Sequence, residues 1–219
     1  MNEQLPEQIL WEQAGSQDWL KSLVATVREI LTNPKSFFQK VALGQDLKRP
    51  LWFAIIINTT MFVIGQAFNI GFGLSPARFG MDAEQMQWLG SFFSLAFLPF
   101  AIIFMALFVV ATLFISAGVN HFCLYLLGAA HRNFEQSLRV VCYASAPYVL
   151  CFIPVLGGFL GWIWSFILTV IGLKTVHMTS TSRALLACLL PVIVCCGLFI
   201  LLGVMIGATA LGALMTSGR

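Results

Sequence analysis

Three histidines and six cysteines are the side chains of this sequence with the most obvious capacity for chemistry. His121, His131 and His177 are separated by 10 and 46 residues, a spacing that matches no zinc-binding pattern. No serine or cysteine nucleophile accompanies them in a recognisable local context. The cysteines all lie in apolar stretches, where they are expected as small buried side chains and not as a disulfide framework. We therefore predict no catalytic residue, no metal site and no cofactor.

A second group of polar side chains lies within long apolar stretches. Asn58, Gln66 and Asn69 fall on one face of a predicted helix. Asn120 is the last of three polar side chains that are spaced four residues apart, and His121 follows it directly. Polar groups at membrane depth cost free energy, and they usually face neighbouring helices or a hydrated cavity. These residues predict either interhelical hydrogen bonds or a polar path for a lipid headgroup or small solute.

The stretch FEQSLRVVCYASAP, residues 134–147, combines charge with the start of an apolar helix. Glu135 and Arg139 form an i, i+4 pair in the favourable order. The Arg139 side chain is expected to extend to the headgroups, and Tyr143 to extend inward from the interface. Pro147, after three small residues, is expected to bend the helix. The residues predicted to contact lipid headgroups or solute at the cytoplasmic side of the membrane are Arg139, Tyr143, Lys174, His177 and Arg183.

The elements that position these residues follow from composition. Of 219 residues, 59% are hydrophobic and 10% are charged, and the mean hydropathy is +0.88. Soluble domains carry roughly 25% charged residues, so a soluble fold of this length is excluded. The net charge of +3 and the absence of a basic patch with interleaved aromatics argue against a nucleic-acid partner. The sequence predicts an all-α integral membrane protein.

Charge is concentrated at the start of the chain. Residues 1–50 hold six of the nine acidic and six of the twelve basic residues, which predicts a cytoplasmic N-terminal region. Residues 51–214 are predicted to form one membrane domain, because their apolar runs approach or exceed the ~20 residues of a spanning helix. The five predicted transmembrane helices cover residues 51–72, 92–127, 134–153, 156–173 and 184–214.

Basic residues set the predicted orientation. With five crossings, eight Lys and Arg residues lie on one side of the membrane, and only Arg78 and Arg219 lie on the other. This contrast predicts a cytoplasmic N-terminus and an external C-terminus. One alternative stays open, because residues 154–158 (PVLGG) carry no charge. Segments three and four either cross fully or form a re-entrant hairpin, and the charge rule does not separate the two.

An amphipathic helix is predicted over about residues 18–32, and Asn33-Pro34 ends it. Its polar face is nearly neutral, so electrostatic adsorption to a membrane is expected to be weak. The apolar stripe is predicted to lie on the bilayer, to cap the bundle, or to bind a protein partner. The residues of this predicted partner surface are Trp19, Leu20, Leu23, Val27 and Ile30.

Small residues follow one face of the fourth segment, among them Gly158, Gly161 and Gly172. Such stripes allow helix backbones to approach closely. Packing within the monomer is the first interpretation, and self-association into a homo-oligomer is the competing one.

One ordered series of motifs extends from position 121 to position 191, preceded by NPKSFF at residues 33–38. Their order and spacing resemble the YIP family (Ypt/Rab-interacting-protein domain) over roughly residues 30–195, and Ala129 stands where the family has a second glycine. The residues that carry the resemblance are His121, Gly128, Phe134, Tyr143, Pro147, Ile153, Pro154, Gly157, Gly172, Leu173, Lys174, His177, Arg183, Ala184, Ala187 and Pro191.

This resemblance implies a five-helix membrane fold with a cytoplasmic N-terminus. Eukaryotic members bind Rab-type GTPases in ER–Golgi traffic, whereas the short leader of this chain is similar to the bacterial branch. The implied location is the bacterial inner membrane, or ER and Golgi membranes for a eukaryotic chain.

The favoured function is a non-enzymatic protein that organises membranes or recruits a partner at the cytoplasmic face, in contact with membrane lipids. The alternative is a lipid scramblase or small-solute translocator with a polar path between helices one and two. An intramembrane enzyme built on the histidines is the least favoured hypothesis.

Overall fold

A computed structural model of the protein describes residues 9–15, 17–71, 98–153 and 156–194, with positions 196, 197, 203 and 205 beyond them. The regular elements of these residues are all helical, in agreement with the predicted all-α class. In chain order they are α1 (Leu10–Gln13), α2 (Trp19–Thr32), α3 (Pro34–Val41), α4 (Lys48–Gly71), α5 (Leu98–Leu126), α6 (Phe134–Tyr143), the 3-10 helix η1 (Ala146–Phe152), α7 (Leu156–Val176) and α8 (Thr181–Val194).

Two of the described helices are long and apolar enough to cross a membrane. They cover Pro99–Leu126 and Leu156–Val176, with mean hydropathies of 2.7 and 1.9. Large apolar side chains are exposed on both, including Phe104 on α5 and Phe159 on α7, as expected of surfaces that face lipid. α8 is a shorter apolar helix. Residues 92–97 of the second predicted segment and about half of the fifth lie outside the described residues.

The third predicted segment, residues 134–153, is not one continuous α-helix. α6 ends at Tyr143, and the chain continues as the 3-10 helix η1 from Ala146. The break lies beside Pro147, which has no N–H to donate and was expected to bend the helix. The Ser145 hydroxyl donates to the Cys142 carbonyl at 2.6 Å and so satisfies one of the acceptors left at the end of α6.

Glycines allow α7 to pack closely against the broken segment. A Cβ on Gly157 would lie 1.9 Å from the Leu150 carbonyl oxygen, and one on Gly161 would lie 3.0 Å from the Pro147 carbonyl oxygen. Gly172 lies against Val140 and Phe38, whereas Gly158 has no atom of the described residues within 4 Å of its Cβ position. The sequence predicted Gly158 on the closely packed face of this helix. In the structure, Gly157 lies at the close contact and Gly158 does not.

The N-terminal helices share one core with the rest of the bundle. The Phe37 and Phe53 rings lie 5.0 and 5.2 Å from the Tyr143 ring, between centroids, and Trp11 lies 6.2 Å from Phe53. All four side chains are buried. Residues of the N-terminal region predicted over 1–50 therefore close one end of the bundle through aromatic packing.

Candidate functional site

The most heavily buried charge in the described residues is the guanidinium of Arg139, whose relative exposure is 0%. Its Nη2 lies 2.6 Å from Oε1 of Glu12 in α1. The Tyr143 hydroxyl donates to the same oxygen at 2.7 Å. Arg139 and Tyr143 are one helical turn apart on α6, so both side chains reach a single carboxylate. Arg139 Nη1 also donates to the Asp46 carbonyl.

Burial of Arg139 corrects two sequence predictions. The side chain does not extend to lipid headgroups, because it has no exposed surface and its charge is paired inside the protein. Its acidic partner is Glu12, 127 positions away, and not the predicted Glu135. The sequence alone did not point to Glu12, since it stands in the short segment ILWEQ, without a recognisable motif.

A set of contacts around α1 holds Glu12 in this position. The Trp11 indole donates to the Arg49 carbonyl at 2.7 Å, and Arg49 Nη2 donates to the Ala14 carbonyl at 3.0 Å. The Arg49 guanidinium also lies 5.9 Å from the Trp11 ring, within cation–π range. Gly44 leaves the space that the Arg139 guanidinium fills, because a Cβ there would lie 1.9 Å from Nη2.

His121 and His177, predicted as polar interior residues, meet at a serine that the sequence did not indicate. The Arg132 backbone N–H donates to His177 Nδ1 at 3.2 Å, so that nitrogen is the acceptor. In the neutral ring, His177 Nε2–H then donates to Ser137 Oγ at 2.8 Å. The Ser137 hydroxyl in turn donates to His121 Nδ1 at 2.9 Å. This chain joins the ends of α5 and α7 to α6.

The electrostatic setting of His177 favours the neutral ring. Burial, and after it the proximity of His121, His131 and Arg132, lowers the pKa of His177 to about 4. A serine and a histidine can act as a nucleophile and its general base. The Ser137 side chain, however, is fully buried, and its hydroxyl group is hydrogen-bonded to both His121 and His177. Among the described residues no cluster of three His, Cys, Asp or Glu side chains is arranged to hold a metal.

The structure describes the side chain of Asn58, one of the intramembrane amides predicted to line a path between helices one and two. The Asn58 amide donates to the Ala54 carbonyl of its own helix at 2.8 Å. The side chains of Gln66 and Asn69 lie outside the described part of the structure. Asn120, which is 8% exposed, donates to Ser116 Oγ at 3.4 Å and faces α7 and α8.

Asn120 lines a cavity of about 370 Å³ between α5, η1, α7 and α8. Five of its lining side chains carry hydroxyl or amide groups, and the described lining contains no charged residue. Such a lining suits an uncharged polar group. The polar side chains of the cavity are Ser116, Asn120, Tyr148, Ser165 and Thr169.

The predicted partner surface on α2 is divided between the core and the exterior. Leu23 and Ile30 are buried, and Val27 packs against the same core cluster. Trp19 and Leu20 are 43% and 57% exposed. The stripe thus caps the bundle with one side, as one of the sequence alternatives proposed, and only Trp19 and Leu20 of the predicted surface remain on the exterior.

Beside this exterior face lies an open groove of about 600 Å³ between α1 and α2. Apolar side chains, among them the exposed Leu10 and Val24, line it together with Lys21 and Arg28. Glu29 also borders the groove, but its carboxylate is paired with Lys40 at 2.8 Å. Lys21 is likewise paired, with Asp18 at 3.3 Å, so Arg28 is the remaining basic side chain of this apolar lining.

Lys174 and Arg183, the other predicted headgroup contacts, are exposed. Lys174 lies in the last turn of α7, and Arg183 lies in the first turn of α8, where its backbone N–H donates to Ser180 Oγ at 3.3 Å. Their exposure distinguishes them from the buried Arg139.

Comparison with known protein families matches the Yip1 domain over residues 28–213, which is most of the chain. The matched region includes Arg139, Tyr143 and the histidine–serine chain, whereas α1 with Glu12 precedes it. Comparison with curated proteins and with solved structures gives no match to the chain. The family match agrees with the resemblance seen in the sequence motifs, and the chain is a membrane protein that belongs to the YIP family.

Proposed function

We propose that this YIP-family protein is a non-enzymatic membrane protein that recruits a protein partner through the groove between α1 and α2. The observation that carries the proposal is the groove itself, with exposed Leu10, Leu20 and Val24 beside Lys21 and Arg28. An apolar groove bordered by Arg28 complements an amphipathic helix whose polar face is acidic. The partner is therefore a protein segment of that kind.

The topology that we propose has five crossings, with the N-terminus and the groove in the cytoplasm. The distribution of Lys and Arg supports this orientation. The proposed location is the bacterial inner membrane, or ER and Golgi membranes for a eukaryotic chain.

The partner proposal is tested with a synthetic amphipathic peptide that has leucines on one face and glutamates on the other. Fluorescence anisotropy of the labelled peptide with the purified protein should show saturable binding. Val24→Asp should weaken binding about tenfold or more, because Val24 is an exposed residue of the groove. Leu43→Asp is the matched control, since Leu43 is 61% exposed outside the groove. Equal binding by both variants, or by a peptide with lysines for glutamates, contradicts the proposal.

A second candidate function rests on the cavity lined by Asn120. Its uncharged polar groups lie between helices with lipid-facing surfaces, which is where a scramblase or a translocator of small solutes needs them. This route involves α5, α7 and α8 and so differs from the path predicted between helices one and two. Asn120→Leu should abolish such transport, whereas Asn58→Leu, at an amide bonded to its own helix, should retain it.

A further inference from the structure

We propose that Arg139 and Tyr143 form a binding site for a phosphate group, and that the Glu12 carboxylate occupies this site in the present conformation. The site lies at the end of the bundle that α1 covers. Its residues differ from those that line the groove between α1 and α2, and it does not rest on the partner proposal.

The hydrogen bonds at Arg139 leave part of the guanidinium unused. Nη2 contacts Glu12 and Nη1 contacts the Asp46 carbonyl, but the buried Nε has no hydrogen-bond partner in the described part of the chain. Glu12 meets both Arg139 and Tyr143 with the single oxygen Oε1. A carboxylate in this position therefore satisfies fewer donors than the site presents.

A phosphate group fits this set of donors better than one carboxylate oxygen. Two of its oxygens can accept from Nε and Nη2 in the bidentate geometry that guanidinium groups favour. A third oxygen can accept from the Tyr143 hydroxyl, which now donates to Glu12. The chemistry is common to the phosphodiester of an anionic lipid and to free phosphate.

Charge also requires an anion when Glu12 leaves. Arg139 is fully buried, and a buried unpaired charge is strongly unfavourable. Glu12 is carried by a four-residue helix, and its side chain is 19% exposed, so the carboxylate is the accessible member of the pair. The Glu12 side chain can turn to solvent while Trp11 and its hydrogen bond to Arg49 keep α1 on the bundle. An incoming phosphate therefore replaces the carboxylate at a site that cannot stay empty.

The test vacates the site with Glu12→Ala and measures the unfolding temperature of the purified protein in detergent. The ligands are inorganic phosphate at constant ionic strength, phosphatidylglycerol, and diacylglycerol as the lipid without phosphate. A phosphate ligand should raise the unfolding temperature of Glu12→Ala by about 3 °C or more at tenfold excess over its Kd. Wild type should respond less, because Glu12 competes. Glu29→Ala, which removes the carboxylate paired with Lys40, is the matched control.

A rise with inorganic phosphate identifies a soluble phosphate as a sufficient ligand, and a rise with phosphatidylglycerol alone identifies the lipid. Either rise should be lost when Tyr143→Phe or Arg139→Gln is added to Glu12→Ala. The proposal is overturned if neither phosphate ligand stabilises Glu12→Ala more than Glu29→Ala. It is also overturned if diacylglycerol raises the unfolding temperature of Glu12→Ala as much as the phosphate ligands do. Should Glu12→Ala fail to fold, Glu12→Gln keeps the side-chain shape without the charge and carries the same comparison.

Discussion

Arg139 and Glu12 are 127 positions apart in the sequence, and their side chains form a 2.6 Å ion pair at the end of the bundle. The arginine is fully buried, whereas the glutamate side chain is 19% exposed. Because only one partner can reach water, the two charges are not equivalent in the folded protein. This asymmetry leads to the first prediction.

Glu12→Ala should destabilise the protein by about 3–5 kcal/mol in phosphate-free buffer, because it leaves the Arg139 charge buried and unpaired. Arg139→Met should cost less, since the flexible apolar side chain fits the buried space and Glu12 can turn to solvent. Denaturant unfolding of both variants in detergent measures the difference. An equal or larger loss of stability for Arg139→Met would contradict the prediction, because it would show that the buried, unpaired arginine charge is not the main cost of removing Glu12.

Gly44 should not tolerate a side chain, because its missing Cβ is the space that the Arg139 guanidinium fills. The Cβ of Gly44→Ala would lie 1.9 Å from Nη2 and 2.6 Å from Cζ. We expect a loss of about 1–3 kcal/mol in the free energy of unfolding, as for overpacked cores. Gly15→Ala is the control, since none of the residues that the structure describes lies within 4 Å of its Cβ position. Similar stability of the two variants would contradict this placement of Arg139.

Stability should decrease in acid through His177. Its pKa falls from 6.5 in the unfolded chain to about 4 in the fold, so the unfolded state binds more protons between these values. The contribution is full above about pH 6.5 and is lost as the pH falls towards 4. The contribution of His177 to the free energy of unfolding should reach about 3 kcal/mol at most. Unfolding temperatures from pH 7 to pH 4 measure it.

The control for this pH dependence is His177→Asn. Asparagine does not titrate in this range and keeps an acceptor for the Arg132 backbone N–H. It should therefore lose less stability than wild type over the same pH interval. Identical pH profiles would assign the acid sensitivity to other groups.

Replacement by alanine should have opposite effects on stability at two neighbouring glycines of α7. Gly157→Ala places a Cβ 1.9 Å from the Leu150 carbonyl oxygen, and backbone cannot move aside cheaply, so we expect a loss of about 2 kcal/mol or more. Gly158→Ala meets no atom of the described chain within 4 Å and should be neutral or stabilising by up to about 1 kcal/mol. Thermal unfolding compares them. A larger loss at Gly158 would mean that α7 packs in a different rotation.

Features that depend on local sequence were predictable. The apolar runs predicted α5 and α7, and Pro147 with the small residues before it indicated where the third segment breaks. The spaced motifs from His121 to Pro191 indicated the family that the Yip1 domain match confirms. Each of these signals is contained in a short stretch or in a fixed spacing, so no knowledge of distant contacts was required.

The candidate sites depend on distant contacts and were predicted poorly. Helical periodicity pairs residues three or four positions apart, so it assigned Glu135 to Arg139, whereas packing of α1 onto the bundle supplies Glu12. Ser137 joins His177 across 40 positions for the same reason. On α2, the periodicity identified an apolar stripe, but only packing against the core decides that Leu23 is buried and Leu20 is exposed.

The measurement that tests the central claim most directly is lipid movement in vesicles that contain the purified protein. Fluorescent lipid in both leaflets is exposed to a membrane-impermeant quencher. A protein that recruits a partner and does not move lipid should give quenching of the outer leaflet alone, equal to that of protein-free vesicles. Quenching beyond the outer leaflet that is lost in Asn120→Leu and retained in Asn58→Leu would contradict this account and establish a scramblase.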